Sequence, residues 1–413
     1  MGRARDETSE TTAPTGGAAR ENRFLDVLIA LTAVNVVVFA FRFAGDVTSR
    51  DGFLIDPFSP FGGDFINLWT AGKLILSGAT EIIYDPARFM EFQKSFVHAD
   101  IGLRLWAYPP HSLLLAWPFG FFRYLAGFAL WSLLGLTFLA WCACRFGLER
   151  KETLVLVLSP AALSCVIYGQ TGNFFTGLML LALSPRSRFD PGSVLGAALL
   201  TIKPQTGFLL PLVWVFQKRW ATIAVTAVVV LSLMAMSLLV FGSKVWSDYL
   251  FLTAPELSKL ERYGTGPFME MIPSLFMSLR LAGMSGDHAL VIHAVFACLV
   301  ALVLVWRLSR AADHRTQAAL VLVGTCLVTP YMHIYDLSLL LVGGLLMLRA
   351  EPALAGNRFY LTTGLVFVAW FAPSLVPVLA QGGVPVTPFL LLVMFLAIRE
   401  PDRAAPSPTP TRD

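Results

Sequence analysis

About a dozen apolar segments, parted by short polar breaks, run through this chain from Phe24 to Ile398. The first, Phe24 to Phe43, holds about 20 residues, enough for one crossing of a bilayer. The others fall near 110–122, 124–144, 153–168, 173–184, 192–217, 219–241, 287–306, 317–330, 334–349, 358–379 and 385–398. Several are only about 12 to 16 residues long, short for spanning ~30 Å of hydrocarbon as straight helices. Short segments are tolerated where they line a cavity instead of facing lipid. The pattern predicts an all-α polytopic membrane protein, a bundle of about 11–13 membrane helices, with its functional groups in a large cavity. Composition agrees, because 56% of the 413 residues are hydrophobic and 14% charged, and a water-soluble fold could not hide that much apolar surface.

The formal net charge of +4 is spread along the chain without a basic block, which sets nucleic acid aside as a partner. Cys142, Cys144, Cys165, Cys298 and Cys326 all lie inside apolar stretches, where they read as small buried hydrophobes and not as metal ligands or a disulfide framework. Residues 1–23 and 400–413, rich in charge, Pro, Ala and Thr, are expected to be disordered cytoplasmic tails around one membrane domain, 24–399. The long polar leader argues against a cleaved signal peptide.

Two long polar stretches, about 44–107 and 242–286, read as the first and second extracytoplasmic loops. The first carries eight acidic side chains against five Lys or Arg, a bias that suits the outer side. Basic residues should mark the cytoplasmic turns: Arg145, Arg150 and Lys151; Arg186 and Arg188; Lys218 and Arg219; Arg307, Arg310 and Arg315; Arg349 and Arg358; and Arg399 with Arg403. If all are inside, 110–144 is one bent or re-entrant unit and 192–217 is a helical hairpin breaking at Lys203-Pro204-Gln205. A plain alternation of about twelve spans is the competing arrangement and puts Arg145–Lys151 and Arg186–Arg188 outside.

Within the first loop, Phe65, Leu68, Trp69, Gly72, Ile75 and Leu76 recur at three- and four-residue steps. That spacing predicts an amphipathic helix over 64–77, ended by Gly78. Asp85-Pro86 opens a second, since Asp is a favoured N-cap and Pro fits the first turn. Both are expected to lie along the membrane surface.

Five motifs carry polar chemistry. In Gly62-Gly63-Asp64-Phe65 the glycines allow a tight turn beside a ligand and set a carboxylate at a helix start; a general base and an ordinary N-cap are both open readings of Asp64. Tyr108-Pro109-Pro110 fixes how the chain enters the next apolar segment, with Tyr108 either an interfacial anchor or a substrate contact, while the neighbouring His111 reads as merely interfacial. In Gly169-Gln170-Thr171-Gly172-Asn173, Gln170 can bond sugar hydroxyls and Asn173 reads as a helix cap. Lys203-Pro204-Gln205 buries a cation among apolar residues, which calls for an anionic ligand such as phosphate or for an internal carboxylate partner. Tyr331-Met332-His333-Ile334-Tyr335-Asp336 gathers more polar groups than a turn needs, with His333 and Asp336 spaced to share a helical face.

Taken in order, these motifs resemble glycosyltransferase family 87, a group of membrane mannosyltransferase-like proteins within the GT-C superfamily. The residues that carry the resemblance are Gly63-Asp64-Phe65 through Ala71-Gly72 to Ser77-Gly78, Tyr84-Asp85-Pro86, Tyr108-Pro109-Pro110, Gly169-Gln170 with Asn173, Lys203-Pro204-Gln205 and Tyr335-Asp336-Leu337. They cover about residues 24–345. The resemblance implies inverting sugar transfer from a polyprenyl-phosphate sugar to a lipid or glycan acceptor at the outer face of the cytoplasmic membrane, with mannose the family's best-known sugar. It also implies Asp64 as base. Lys203 and Arg104 would hold the leaving phosphate, and Tyr108, Gln170, Gln205, His333 and Asp336 would contact substrate or orient those groups. No cofactor is expected, and a single Asp after Gly63, in place of an adjacent acidic pair, speaks against a divalent metal. A transporter or lipid-linked-sugar flippase would also break its helices at membrane depth, but paired interruptions in two repeated halves are not evident. A non-catalytic family member is the other alternative.

Overall fold

The computed structural model describes residues 16–49, 54–56, 59–96, 98–99, 101–184, 189–311, 313–350, 356–383 and 386–399. It is all-helical apart from a short antiparallel pairing of Leu54–Asp56 with Ser59–Pro60. Among the described residues, five helices are long and apolar enough to cross a membrane: Ala19–Ser49, Tyr124–Phe146, Trp220–Phe241, Gly286–Leu308 and Asn357–Gln381. Each shows large apolar side chains on its outer face, among them Phe41, Leu133, Leu239, Leu302 and Tyr360. That is the expected disposition of lipid-facing helices.

The remaining apolar segments are short and buried, and they come in three hairpins. Arg150–Val157 and Pro160–Ile167, broken at Ser159-Pro160, pair with Gly172–Ala182. Pro191–Leu200 turns back at Lys203 into Pro204–Gly207 and Leu210–Phe216, and His314–Val328 pairs with Ser338–Ala350. The two arms of that last hairpin have 15 and 13 residues. At 1.5 Å per residue they reach roughly 20 Å, less than a bilayer core.

All three hairpins start and finish at one end of the molecule, where the polar contacts run from turn to turn. Lys151 binds Asp26 at 2.6 Å, Arg349 binds Glu149 and Glu152 at 2.8 and 2.6 Å, and Arg145 binds Asp190 at 3.0 Å. Arg219 donates to Ser193 at 3.0 Å, Gln217 to Gln317 at 2.8 Å, and Arg307 to the Phe395 carbonyl at 2.6 Å. The basic turns that the structure describes therefore share one face, as in the re-entrant arrangement and not in the alternating one; Arg186, Arg188 and Arg403 lie outside the described residues. Of the expected bent unit 110–144, only the first part is bent, made of Pro110–Ser112, Leu113–Ala116 and Trp117–Phe121, while Tyr124–Phe146 is one long helix.

Some boundaries differ from expectation. The first helix begins at Gly16 and ends at Ser49, so residues 16–23 are helical and not tail, and 44–49 extend the span and not the loop. The rest of both expected tails, 1–15 and 400–413, lies outside the described residues. Phe65–Leu76 and Pro86–Phe96 form in the first loop, and Asp85 caps the second by accepting from the Ala87 and Arg88 N–H groups at 3.1 Å each. Phe65–Leu76 does not lie along a surface, however. Phe65, Ile66, Leu68, Trp69, Ala71 and Leu74 are all buried, because 113–121 and Tyr124–Phe146 pack over it.

Candidate active site

The three hairpin tips converge on the start of Phe65–Leu76. Gly63 has φ +54°, and a Cβ there would collide with the Tyr168 backbone; its neighbour Asp64 donates its N–H to the Tyr168 carbonyl at 2.9 Å. One step along the same tip, Gly172 packs so closely on the Tyr335 backbone that any side chain would clash, and Cys165 Sγ meets the Tyr335 carbonyl at 3.1 Å. Backbone contact thus links the Asp64 turn, the Gly169–Asn173 turn and the Tyr331–Asp336 turn, and the last holds Lys203 of the third tip.

Asp64 occupies the N-cap position but does not cap. Its backbone is helical (φ −79°, ψ 0°), and its side chain makes no cap bond. Instead Oδ1 accepts from Arg104 Nη1 at 2.7 Å and Oδ2 from Gln170 Nε2 at 2.6 Å. The carboxylate side chain remains 37% exposed, so it is open to a ligand.

Lys203 is not open to a ligand. Its Nζ donates to both oxygens of Asp336, at 2.7 and 2.6 Å, and the Asp336 side chain is 1% exposed. The ammonium also lies over the Tyr335 and Phe175 rings, 5.6 and 5.9 Å from their centroids. Of the two sequence readings of Lys203, the internal ion pair is the one formed, since a lone buried cation at this depth is costly and Asp336 is within reach. Arg104, the other expected phosphate ligand, is paired with Asp64, though its Nε is a buried N–H with no partner.

Tyr108 is half-buried, and its hydroxyl lies 3.1 Å from Thr171 Oγ1, while its carbonyl accepts from Tyr84 Oη at 2.7 Å. His333 stacks on Tyr335, ring centroids 4.9 Å apart, and its Nδ1 lies 3.1 Å from the Tyr331 carbonyl. A carbonyl only accepts, so Nδ1 bears hydrogen and Nε2 is left as the acceptor nitrogen. His333 and Asp336 do not share a helical face; they open and close one short turn, with the His333 N–H 3.4 Å from Asp336 Oδ2. Gln205 supplies only its carbonyl, to Thr329 Oγ1 at 3.2 Å. Asn173 is not a cap either. It sits inside the helix, where Nδ2 bonds the Ala162 carbonyl at 3.1 Å and ties the two arms of its hairpin. His111 is buried and not interfacial, with Nε2 3.2 Å from Thr201 Oγ1. Thr171 and Tyr335 lie within the motifs and Tyr168 directly before one, yet the sequence singles out none of the three as a site residue. Among the described residues no three His, Cys, Asp or Glu side chains form a group that could hold a metal ion.

The family model described as glycosyltransferase family 87 matches residues 106–330, more than half of the chain. The chain belongs to glycosyltransferase family 87. Membership makes it a membrane glycosyltransferase, acting on a sugar donor and an acceptor. The matched span takes in Tyr108, Gln170, Lys203 and Gln205, while Asp64 and Arg104 precede it and His333 and Asp336 follow it. What draws those four to the family-87 core is therefore the geometry of the cleft. Searches among curated proteins and among solved structures gave no match.

Proposed function

We propose that the protein transfers a sugar from a polyprenyl-phosphate donor to a hydroxyl of a lipid or glycan acceptor, at the extracytoplasmic side of the cytoplasmic membrane. The observation that carries this reading is the Asp64 carboxylate, free of capping duty, held by Arg104 and Gln170, and partly exposed. In the reaction, Asp64 takes the proton of the acceptor hydroxyl as its oxygen bonds to the anomeric carbon. The bond from that carbon to the phosphate oxygen breaks, its electron pair leaves with the polyprenyl phosphate, and the configuration inverts.

Arg104 has a double part in this reading. Paired with Asp64 it occupies one carboxylate oxygen; a donor phosphate that draws the guanidinium over frees Asp64 to act and receives charge stabilisation in return. The buried, unpartnered Arg104 Nε supports such a shift. Lys203 reaches the phosphate only as part of a fixed dipole with Asp336, and the pair sets the floor of the cleft. Tyr108, Gln205 and the His333 Nε2 are the groups proposed to meet sugar hydroxyls. Orientation follows the positive-inside rule, which makes the basic face cytoplasmic.

The test is incubation of purified protein with a panel of polyprenyl-phosphate sugars, mannose first, and membrane lipids, with products identified by mass spectrometry. A glycosylated lipid formed by the wild type and not by Asp64→Asn supports the reading. Donor binding without product from any donor would turn it towards a non-catalytic role, and movement of intact donor across vesicles towards a flippase.

A further inference from the structure

Arg104 and Lys203 are neutralised by Asp64 and Asp336. A third cation beside the cleft is not. Arg42, on the first long helix, places its guanidinium carbon 5.8 Å from the centroid of the Tyr168 ring. Tyr168 is the residue whose carbonyl holds the Asp64 N–H, so Arg42 packs against the residue that anchors the Asp64 turn. It is exposed, and among the described residues it has no ion-pair or hydrogen-bond partner; Asp46, one turn further on, forms no ion pair with it. An unpaired guanidinium on a lipid-facing helix is costly unless an anion comes to it.

The surface leading to Arg42 is shaped for an anion that carries a tail. Val34, Val38 and Arg42 follow one another at four-residue steps and so form one stripe, with Phe41 beside it. Val34 and Val38 are each 61% exposed and Phe41 76%. Arg42 lies seven residues before the helix end at Ser49, roughly 10 Å below it. An amphiphile lying on this stripe would bring its head to Tyr168 and leave its chain along the valines. The charges agree as well: Arg42, Arg104 and Lys203 against Asp64 and Asp336 leave one positive charge for a sugar phosphodiester.

We propose that Arg42 is the docking cation for the phosphate of the lipid-linked donor, which reaches the cleft from the bilayer along the Val34–Val38 face of the first helix. The proposal rests on the donor class proposed above. A phospholipid acceptor shares the phosphate chemistry, and the two are separated by which substrate the substitution affects.

The experiment measures binding of a long-chain polyprenyl monophosphate, without sugar, to wild type, Arg42→Gln and Arg42→Lys in nanodiscs, together with steady-state kinetics. Arg42→Gln is expected to bind about 10- to 100-fold more weakly, the usual loss for a charge-assisted contact, and Arg42→Lys to recover part of it. Donor KM rises by a similar factor, kcat at saturating donor stays within about 3-fold, and acceptor KM and the unfolding temperature do not move. Equal binding by wild type and Arg42→Gln overturns the role of Arg42 and leaves the donor class standing. A rise in acceptor KM alone overturns it in favour of the acceptor phosphate. A wild type that binds no polyprenyl phosphate overturns both.

Discussion

At the scale of single residues, the cleft separates two carboxylates by their surroundings. Asp336 is sealed and spends both oxygens on Lys203, whereas Asp64 is partly open and is held by two groups that can let go. Asp64→Asn keeps the shape and removes the proposed base, so turnover should fall by about 10²–10⁴ with little change in unfolding temperature. Equal loss of activity and of folded protein would make Asp64 structural. The Lys203–Asp336 pair behaves in the opposite way: Lys203→Met leaves a buried carboxylate without its cation and should cost about 3–5 kcal/mol, while Lys203→Met with Asp336→Leu should regain most of it. Thermal unfolding of the three variants decides this. No regain in the double variant would mean that each side chain acts through other contacts.

At the scale of elements, the glycines at the tips explain why these turns pack backbone to backbone. Gly172→Val would push the Gly169–Asn173 turn off Tyr335, moving Gln170 away from Asp64, and should abolish most activity while the long helices persist by circular dichroism. Apart from the first helix, whose limits Gly16 and Ser49 lie well outside its apolar run, the apolar runs predict helix limits within a few residues, since burial in lipid or protein core leaves a plain compositional trace. Depth was harder to read. An apolar run of 13 to 15 residues looks the same whether it crosses the bilayer or turns back inside it, and only the shared position of the basic turns separates the cases. In the cleft, the sequence picked out Asp64, Gln170, Lys203 and Asp336 but not who pairs with whom, because partners 106 and 133 residues apart leave no local signal. It missed Arg42 because one cation hardly disturbs a long apolar run. In the second polar stretch, burial on the helix Ala254–Tyr263 pushes the Glu261 carboxyl up to about 7. Its folded-state pKa lies above the unfolded one, so its penalty grows as pH rises from about 4.5 to about 7 and is complete above that. Glu261→Gln should therefore stabilise the protein by on the order of 1–2 kcal/mol at pH 8 and hardly at all at pH 4, read from unfolding temperatures across that range.

At the scale of the whole molecule, five long helices fence a core of three hairpins that reach in from one face, while the first loop covers their tips from the other. This division lets an enzyme place fixed charges roughly 20 Å from one face. It also fixes a sidedness that labelling can read. Arg150, Lys218 and Arg310 are exposed at the hairpin face, and Arg88 and Lys259 are exposed in the two long polar stretches. With Cys144 and Cys298, the exposed native cysteines, changed to Ser, single Cys variants at those five positions should divide three against two with a membrane-impermeant maleimide. The first three should react only from the cytoplasmic side, as their positive charge requires. In an alternation of twelve spans, position 150 would instead react from the side of position 88. That outcome would carry the Gly169–Asn173 tip to the face opposite Asp64 and separate Gln170 from the carboxylate it holds, so one labelling pattern bears on the fold, the orientation and the cleft together.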